Sequence, residues 1–461
     1  MSLPFVGPSY SLATRKASAQ RSVNMHLVGM ETPSKAPYIM RSVPGLVLFA
    51  ALGAEVRGSI YAASRCFVVA GATLFEISST GAATARGTLS TASGAVGMAW
   101  GTTQLVVVDG ANGYVLTLSG NAFASITDPD WPGSATIGYI NGFFTLIPPG
   151  RQQCYITAID DASNIDALDF ASAESSPDLL VGQVITHNEW WQFGEFTTEV
   201  RYPSDNAFPF DRNSGATMDV GCIAAHSIRS IDNGVIWIGQ DRNGSGMVYK
   251  VVGYQPQRIS TTAIEEALRA STDLSQAVAY VYQLDGLTFW CVNAPGLTST
   301  WCYEVSSGAW FEVCDLDALG QFKAGRATHH VAAFGLHLVG DAAGNLYRMD
   351  RTVYTNNGDA LVRMRISPND VTPQRERKQY GEFVLDCTTG EAGQGIAPVA
   401  ELSWSNDSGA TFGNPVMKSI GLVGERVPRV RWTRLGLARD RVWKLVFSGN
   451  APFDIISGSA G

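Results

Sequence analysis

A hairpin pattern recurs seven times along the chain and constrains the fold more than any other feature of the sequence. Each unit is an apolar strand, a turn of polar residues, Gly or Pro, and a second strand rich in Tyr, Val and Thr. The turns begin at Ala70, Asp109, Pro148, Gly194, Gln240, Asn293 and Asp341. Successive turns lie 39 to 53 residues apart, and one four-stranded propeller blade takes roughly 40 to 50 residues. The repeat therefore predicts an all-β fold with a β-propeller-like domain of about 6–7 blades.

The size and composition of the chain agree with a repeat fold. At 461 residues the chain exceeds what one hydrophobic core serves, unless each repeat buries a face against its neighbours. Charged residues make up only 16% of the chain, below the roughly 25% of a typical soluble domain. This low charge density indicates either a surface covered by partners or a weakly charged monomer.

The sequence contains no signal for a membrane or for secretion. No apolar run approaches the roughly 18 residues of a membrane helix, and the N-terminus lacks a basic segment followed by an apolar core. Seven cysteines without a CxxC pair favour reduced thiols in a cytoplasm. Cys291 and Cys302 face each other across one predicted hairpin, so a disulfide remains an alternative at that site. We expect synthesis in a cytoplasm and no membrane segment.

Three segments are distinguishable along the chain. Residues 1–57 are interrupted by proline and predict an irregular N-terminal arm. Residues 58–360 carry the hairpin units and predict the propeller-like domain. Residues 361–461 alternate apolar and polar side chains, which predicts a C-terminal β-sandwich-like domain. Net charge changes at the same boundary, because residues 1–360 hold 20 Lys and Arg against 31 Asp and Glu, whereas residues 361–461 hold 13 against 10.

One short helix interrupts the β-rich region at residues 261–270. Thr262 and Glu265 have the spacing of a capping box, which predicts Thr262 as the N-cap. Ile264 and Leu268 form a narrow apolar stripe, so we expect this helix to lie against one side of the propeller.

The sequence contains no catalytic signature. A phosphate-binding loop, a GxGxxG helix start, HExxH and GxSxG are all absent. His329, His330 and His337 are close in sequence, but adjacent strand residues point to opposite faces and cannot both ligate one ion. Acidic pairs such as Asp160 and Asp161 are typical of solvated loops. We expect no catalytic residue, no metal site and no cofactor.

Aromatic-rich segments allow two interpretations. Trp190, Trp191 and residues 301–311 could provide a stacking platform for carbohydrates or bases. Strand-borne Trp at blade spacing more often packs between blades. We favour packing, and the platform supports an alternative function as a propeller-class protein that binds or hydrolyses glycans.

The segment SNDSGATF near the C-terminus matches the Asp-box pattern of sialidases and related β proteins. The matching residues are Ser405, Asp407, Gly409 and Phe412. The pattern predicts a hairpin turn in which the Asp accepts backbone hydrogen bonds and the Gly adopts a conformation that other residues avoid. A sialidase also needs an arginine cluster with a Tyr/Glu pair, and the predicted blades show none. The motif therefore specifies a turn and carries no chemistry by itself.

A basic stretch follows, interleaved with two tryptophans. Its cationic residues are Arg429, Arg431, Arg434, Arg439, Arg441 and Lys444. Such residues can contact DNA phosphates, form a solvated strand face, or pair with an acidic partner. Because the whole chain is acidic, with a pI near 5.3, we favour a protein partner over DNA.

A series of short motifs matches one protein family in order. The first matching residues are Val23, Asn24, Met25, Arg41, Ser42, Pro44 and Gly45. Further similarity lies in residues 190–200, 238–251 and 259–270, so the match spans most of residues 20–450. The chain resembles the tail nozzle, or packaged-DNA stabilisation, proteins (tail hubs) of short-tailed bacteriophages of the podovirus type.

This resemblance implies a structural virion protein without enzymatic activity. Family members form a hexameric ring below the portal and adaptor, continue the DNA channel, and retain packaged DNA until ejection. The implied partners are the adaptor (head-to-tail connector), a tail needle or tip protein, a tailspike or fibre, and double-stranded DNA that passes through the lumen without sequence-specific binding. The implied location is the phage tail, with synthesis and assembly in the bacterial host cytoplasm.

The charge distribution suggests how such a ring would treat DNA. The acidic excess of residues 1–360 is expected to face the lumen, where repulsion from phosphate keeps DNA from adhering. A small helical adaptor is the least favoured interpretation, because the sequence contains one convincing helix.

Overall fold

Seven β-sheets follow one another around a closed ring and form a seven-bladed propeller. The computed structural model describes residues 4–32, 34–173, 178–371, 374, 376–426 and 429–461. The innermost strand of each sheet contacts the innermost strand of the next, and His329–Ala333 of the last blade contacts Val56–Ala62 of the first. The prediction of an all-β propeller with about 6–7 blades, a sandwich-like domain and one helix is confirmed.

The first five blades are built from consecutive strands. Blade 1 contains Val56–Ala62, Arg65–Ala70, Thr73–Ile77 and Ala83–Thr88. Blade 2 contains Gly97–Trp100, Gln104–Val108, Gly113–Thr117 and Phe123–Ser125. Blade 3 contains Ile137–Ile140, Phe143–Leu146, Gln153–Ile156 and Phe170–Ser172. Blade 4 contains Leu180–Thr186, Glu189–Gly194, Thr198–Pro203 and Phe210–Arg212. Blade 5 contains Gly221–Cys222, Arg229–Ile231, Gly234–Asp241, Gly244–Val252 and Gln255–Arg258.

The last two blades recruit strands from outside the repeat. Blade 6 contains Val278–Leu284, Leu287–Asn293, Thr300–Glu304, Ala309–Leu316 and the short Phe322–Ala324. Blade 7 contains His329–Ala333, Leu336–Gly340 and Asn345–Asp350, then the N-terminal strand Gly45–Ala51, followed by Thr355–Asn356 and Asp359–Ala360. In every blade, the hairpin predicted from the sequence supplies the two strands after the innermost one.

The N-terminal strand Gly45–Ala51 closes the ring as the partner of Asn345–Asp350. At Gly45 a Cβ atom would lie 2.4 Å from the carbonyl oxygen of Val353 and 2.6 Å from that of Thr355. Because both neighbours are backbone atoms, only glycine lets the chain pass at this point.

The arm expected in residues 1–57 is therefore not irregular in the structure. Strands form there because their partners lie hundreds of residues away, which the local proline pattern does not reveal. The division of the chain into residues 1–57, 58–360 and 361–461 stays a prediction.

The C-terminal domain is a sandwich of two sheets, and N-terminal strands belong to both. The first sheet contains Ala19–Val23, Arg363–Ile366, Asp440–Phe447, Val399–Ser405 and Val416–Ser419, with Tyr10–Ser11 and Asp370–Val371 at its margins. The second sheet contains Met25–Gly29, Tyr38–Ser42, Ile455–Ala460, Lys378–Cys387 and Val430–Ala438. Buried aromatic residues such as Phe383, Trp432 and Trp443 fill the space between them, as in other packed sheets.

Blade 6 and the sandwich share one continuous sheet. The fourth strand of blade 6, Ala309–Leu316, pairs in parallel with Ala19–Val23 at the pair Glu312 and Val23. Antiparallel pairing then carries the sheet onward to Arg363–Ile366. The propeller and the sandwich are thus joined by backbone hydrogen bonds as well as by the chain.

Separate apolar clusters lie between neighbouring blades, so each blade is stabilised by the next. Between blades 4 and 5, for example, the rings of Phe193 and Trp237 meet with centroids 5.2 Å apart. The edge-to-face geometry of this pair is favourable for aromatic rings.

The α-helix spans Thr262–Arg269 and packs Ile264 and Leu268 into the cluster between blades 5 and 6. The predicted capping box does not form, because the N-cap is Thr261 and it makes no side-chain cap. The Glu265 carboxylate instead accepts hydrogen bonds from Arg258 Nε and Ser260 Oγ, each at 2.7 Å. Ion pairing with the neighbouring strand thus replaces the local cap. Shorter 3-10 turns occur at Ser214–Ala216, Ala225–Ser227 and Leu274–Gln276.

Candidate functional site

The motif around Val23, Asn24 and Met25 lies where the two sandwich sheets and blade 6 meet. Asn24 separates two strands of different sheets and has a φ of 55°, a left-handed conformation that Asn tolerates better than most residues. Its side-chain N–H donates to the carbonyl oxygens of Cys314 at 2.9 Å and Val362 at 2.7 Å. Its side-chain oxygen accepts from the N–H of Cys314 at 2.9 Å. Asn24 therefore holds the crossover against blade 6.

The second part of the motif fastens the strand Tyr38–Ser42 to the C-terminal end of the chain. Arg41 Nε lies 3.3 Å from Asp454 Oδ2, and Ser42 Oγ donates to the carbonyl oxygen of Phe453 at 2.8 Å. Pro44 comes next in the chain. The strand that closes blade 7 then begins at Gly45, which lies close to the backbone carbonyls of Val353 and Thr355. Among the residues that carry the family resemblance, Asn24 thus links the sandwich to blade 6, and Arg41 and Ser42 stabilise the sandwich itself.

A buried ion pair reinforces this junction. Arg21 Nε donates to Glu312 Oε1 at 3.0 Å, and the same carboxylate accepts from Ser9 Oγ at 3.1 Å and Ser299 Oγ at 2.8 Å. The Glu312 side chain is almost fully buried, so the satisfied oxygens offset the desolvation of the charge. No local pattern in the sequence pointed to this pair.

Arg365 is a further junction residue that the sequence analysis missed. It is fully buried and donates to the carbonyl oxygens of Phe5 at 2.7 Å and Pro8 at 2.8 Å, and to Ser22 Oγ at 3.0 Å. Burial lowers the pKa of Arg365 to about 9. Its position in an alternating strand gave no sign that it would face inward, because the partner segment is the N-terminal chain.

The Asp-box-like segment forms a compact turn after the strand Val399–Ser405. Asp407 accepts hydrogen bonds from the N–H of Thr411 at 2.9 Å and from its hydroxyl at 2.6 Å. The N–H of Gly409, whose φ is 86°, donates to Ser405 Oγ at 2.8 Å. The hydrogen bond from Ser405 is the first of several that hold the pKa of Asp407 below its usual range. Phe412 lies under the ammonium group of Lys444, which is 4.6 Å from the ring centroid.

The basic stretch divides into exposed and buried residues. Arg429, Arg431, Arg434 and Arg439 are exposed, and Lys444 is half-buried above Phe412. Arg441 is only 1% exposed and donates to the carbonyl oxygen of Leu435 at 2.7 Å. The interpretation of Arg441 as a partner-facing or DNA-facing residue is therefore wrong.

The Arg441 side chain faces the sandwich interior, where it stacks on aromatic rings. Its guanidinium carbon lies 4.4 Å from the ring centroid of Tyr380 and 5.2 Å from that of Trp443. Aromatic faces attract a planar cation at this distance. The four exposed arginines remain predicted contacts for a partner.

Comparison with known proteins identifies the family. A family model described as bacteriophage P22 Gp10, beta-propeller, matches residues 1–354, and one described as bacteriophage P22 Gp10, beta-sandwich, matches residues 371–460. The chain belongs to the bacteriophage P22 Gp10 family. Members of the Gp10 family are structural phage tail proteins, so the resemblance to tail nozzle and stabilisation proteins is confirmed.

Other comparisons add little to the Gp10 assignment. No curated protein sequence matches the chain. Among solved structures, the designed Ika8 protein has 12% identity and a TM-score of 0.39, with 72% of this chain and 100% of that chain covered. The extracellular domain of BT4673 from B. thetaiotaomicron has 8% identity and a TM-score of 0.45, and the match covers 77% of this chain and 44% of that chain. The Neurospora crassa Pan2 WD40 domain has 6% identity and a TM-score of 0.44, and the match covers 67% of this chain and 96% of that chain.

The proposed aromatic platform does not exist in this Gp10-family chain. Trp190 is fully buried, Trp191 is 3% exposed, and Trp301, Trp310 and Phe311 are also buried. These rings pack within and between blades, which removes the main structural support for glycan binding. The packing interpretation explains them because strands that are buried on both faces cannot offer aromatic faces to solvent.

The His330–His337 pair and the cysteines of this Gp10-family chain serve packing. His330 Nε2 and His337 Nδ1 are 3.0 Å apart. Within the residues that the structure describes, no cluster of three His, Cys, Asp or Glu residues could hold a metal ion. Cys291 and Cys302 face each other in register, and all seven cysteines are buried free thiols. In the described part of the chain, no helix is long and apolar enough to cross a membrane.

Proposed function

We propose that this chain forms a hexameric tail nozzle, a ring that continues the DNA channel below the portal and adaptor of the phage head. The ring retains packaged DNA and conducts it during ejection. The observation that carries this proposal is the match of both domains to Gp10. We further propose that the protein has no enzymatic activity and that it is made and assembled in the bacterial host cytoplasm.

The architecture suits a conduit wall. The sheet that runs from blade 6 into the sandwich, together with the Asn24 and Arg21 contacts, resists bending between the two domains. Identical rigid subunits close into a ring through heterologous contacts when the rotation between them is sixfold. The remaining partners in this proposal are the adaptor, a needle or tip protein, a tailspike or fibre, and double-stranded DNA in the lumen.

The four exposed arginines of the sandwich support the proposal of a protein contact. Arg431 and Arg434 lie in the strand Val430–Ala438, and Arg429 and Arg439 flank it. All four are in the part of the chain that is net positive. An acidic surface, such as the propeller of a neighbouring copy, complements them.

The proposal is tested on the purified full-length chain, alone and mixed with the adaptor protein of the same phage. Size-exclusion chromatography with light scattering and electron microscopy are expected to show sixfold rings, either spontaneously or when the adaptor is added. A chain that stays monomeric under both conditions and hydrolyses a glycan substrate would contradict the nozzle and favour the glycan-active alternative.

The lumen hypothesis has its own test. A reconstruction of the assembled ring is expected to place Asp and Glu side chains of residues 1–360 on the channel wall, where they repel DNA phosphates. Lys and Arg side chains lining the channel, with the carboxylates on the outer wall, would overturn this hypothesis while leaving the ring intact.

A further inference from the structure

The innermost strands of all seven blades surround a cavity of about 430 Å³ on the propeller axis. Its volume lies in the range of pockets that hold small molecules, roughly 300 to 1,000 Å³. The cavity is lined mainly by aliphatic, glycine and hydroxyl-bearing residues, and its lining includes no Asp or Glu. This axial cavity lies within a single propeller.

Two nonadjacent blades contribute four His and Arg residues to the lining of this cavity, and three of them, His226, Arg229 and His329, interact electrostatically. His226 and Arg229 come from blade 5, and His329 comes from blade 7, with blade 6 between them in the ring. The three groups are close enough that the charge of Arg229 helps to lower the pKa of both histidines. Burial is the main cause, and the pKa values fall to about 4 for His226 and about 3 for His329.

Arg229 has no counter-charge in the described part of the chain. Its Nη1 donates to the carbonyl oxygen of Ile228 at 2.7 Å, and the ion pairs between described residues do not include it. Burial lowers its pKa to about 10, and no carboxylate opposes this effect. Arg229 is half-buried at the cavity, so its remaining N–H donors are available to an anion there.

We propose that the axial cavity binds a phosphate group, inorganic or carried by a small organic molecule, between Arg229 and the imidazoles of His226 and His329. A guanidinium donates two parallel hydrogen bonds to phosphate oxygens, and each imidazole adds a further N–H donor. The absence of carboxylates from the lining removes the groups that would repel the ligand. The cavity volume leaves room for an organic substituent beyond the phosphate.

Isothermal titration calorimetry in a phosphate-free buffer tests this site, with inorganic phosphate and adenosine 5′-monophosphate as separate probes. We expect wild-type protein to bind at least one probe, and Arg229→Gln to bind it at least tenfold more weakly. Arg151→Gln is the matched control, because Arg151 is exposed and its loss changes net charge equally. Binding of both probes indicates that phosphate alone suffices, whereas binding of the nucleotide alone indicates an organic ligand.

Thermal unfolding provides a second readout. Without phosphate, Arg229→Gln is expected to match or exceed the wild type in thermal midpoint, because it removes an uncompensated charge. Saturating phosphate is expected to raise the midpoint of wild type and Arg151→Gln only, since a ligand stabilises the state it binds. If Arg229→Gln fails to fold, His329→Asn replaces it and is expected to weaken binding. No binding by wild type, or equal binding by the cavity variant and the control, overturns the proposal.

Discussion

Within the part of the chain that the structure describes, fully buried arginines hold loops to strands and form no ion pair with a carboxylate. Arg57 donates to the carbonyl oxygens of Gly71 and Thr91, each at 2.8 Å, and Arg365 and Arg441 bind backbone carbonyls in the same way. One guanidinium offers five N–H donors in a fixed plane, so a single side chain satisfies several carbonyls that face inward from irregular segments. These arginines therefore act as structural crosslinks.

Replacing Arg441 tests this role against the surface interpretation. Arg441→Met keeps most of the apolar volume but leaves the Leu435 carbonyl unpaired, which is expected to cost about 2 kcal/mol of unfolding free energy. The matched control is Arg439→Met, which removes an exposed arginine and is expected to change stability by less than about 0.5 kcal/mol. Urea unfolding followed by tryptophan fluorescence compares the two. Equal midpoints would mean that Arg441 is not a structural residue.

Asn24 is expected to be the most sensitive residue of the family motif. Asn24→Ala leaves buried groups of Cys314 and Val362 unpaired and adds a left-handed alanine, for a loss of about 3 kcal/mol. Asn141 is a suitable control, since it has a φ of 51° and is exposed. Asn141→Ala is expected to lose only the conformational part, about 1 kcal/mol. The difference between the thermal midpoints of the two variants measures the contribution of the Asn24 hydrogen bonds to stability. Equal losses of stability in the two variants would mean that these hydrogen bonds contribute nothing.

Buried His26 makes stability depend on pH. Burial lowers its pKa to about 3, and neither ring nitrogen has a hydrogen-bond partner among the residues that the structure describes. Between that value and the unfolded pKa of about 6.5, the unfolded chain binds a proton that the folded chain does not. Stability from this group is complete above about pH 6.5 and is lost as pH falls.

The variant His26→Leu is expected to flatten this dependence. The unfolding free energy of His26→Leu should fall less steeply than that of the wild type between pH 6 and pH 4. The difference between the two slopes is expected to be about 1.4 kcal/mol per pH unit. His187→Asn, at an exposed turn, is the control and should keep the wild-type slope. Urea unfolding at several pH values gives the slopes, and parallel curves for wild type and His26→Leu would contradict the argument.

At the scale of elements, the N-terminal strand Gly45–Ala51 decides whether the propeller closes. It joins the first and last parts of the repeat, because it pairs with blade 7 while blade 1 begins a few residues later. A ring closed by a strand from the opposite end of the repeat cannot open at that blade without breaking the pairing. The closing strand should therefore control the kinetic stability of the whole propeller.

Gly45→Ala tests the closure. The new Cβ would collide with two backbone carbonyls, and relieving the collision is expected to cost about 3 kcal/mol. Gly120→Ala is the control, because no atom lies within 4 Å of its Cβ position. Limited proteolysis is expected to cut Gly45→Ala faster near its N-terminus, and thermal unfolding to begin earlier. Identical digestion of both variants would show that the closing strand tolerates displacement.

At the scale of the whole molecule, charge is divided between the two domains. The propeller-containing residues 1–360 carry an acidic excess and residues 361–461 a basic one. In a ring of identical copies, attraction between opposite surfaces guides assembly and weakens as salt is added. Assembly of the proposed nozzle should therefore depend on ionic strength.

Reversing the exposed arginines tests this dependence. The double variant Arg429→Glu with Arg439→Glu is expected to raise the protein concentration needed for ring formation by about tenfold or more, the equivalent of 1.4 kcal/mol per contact. Arg151→Glu with Lys323→Glu makes the same charge change at exposed positions of the propeller and should have a smaller effect. Light scattering at low and high salt measures both. If ring assembly is weakened equally in the two double variants, net charge controls assembly and the arginines do not form a specific contact surface.

The propeller and the sandwich strands were predictable because their signals are local. A hairpin needs only an apolar strand, a turn and a second strand within about 15 residues, and each of the seven units has all three. The C-terminal strands followed in the same way from alternating side chains. The helix was located correctly, but its cap was not, because Glu265 pairs with Arg258 on a neighbouring strand.

Contacts between distant parts of the chain decided the rest. Asn24 binds groups 290 and 338 residues away, and Arg365 binds a carbonyl 360 residues away. The alternation of apolar and polar residues predicts which segments form strands. It does not predict which strands pair, because pairing depends on how the sheets pack in the whole molecule. Local pattern thus predicted a propeller-like domain of about 6–7 blades and a second β domain. Only the folded chain determined that the blades are seven, that an N-terminal strand closes the propeller, and that other N-terminal strands enter the sandwich.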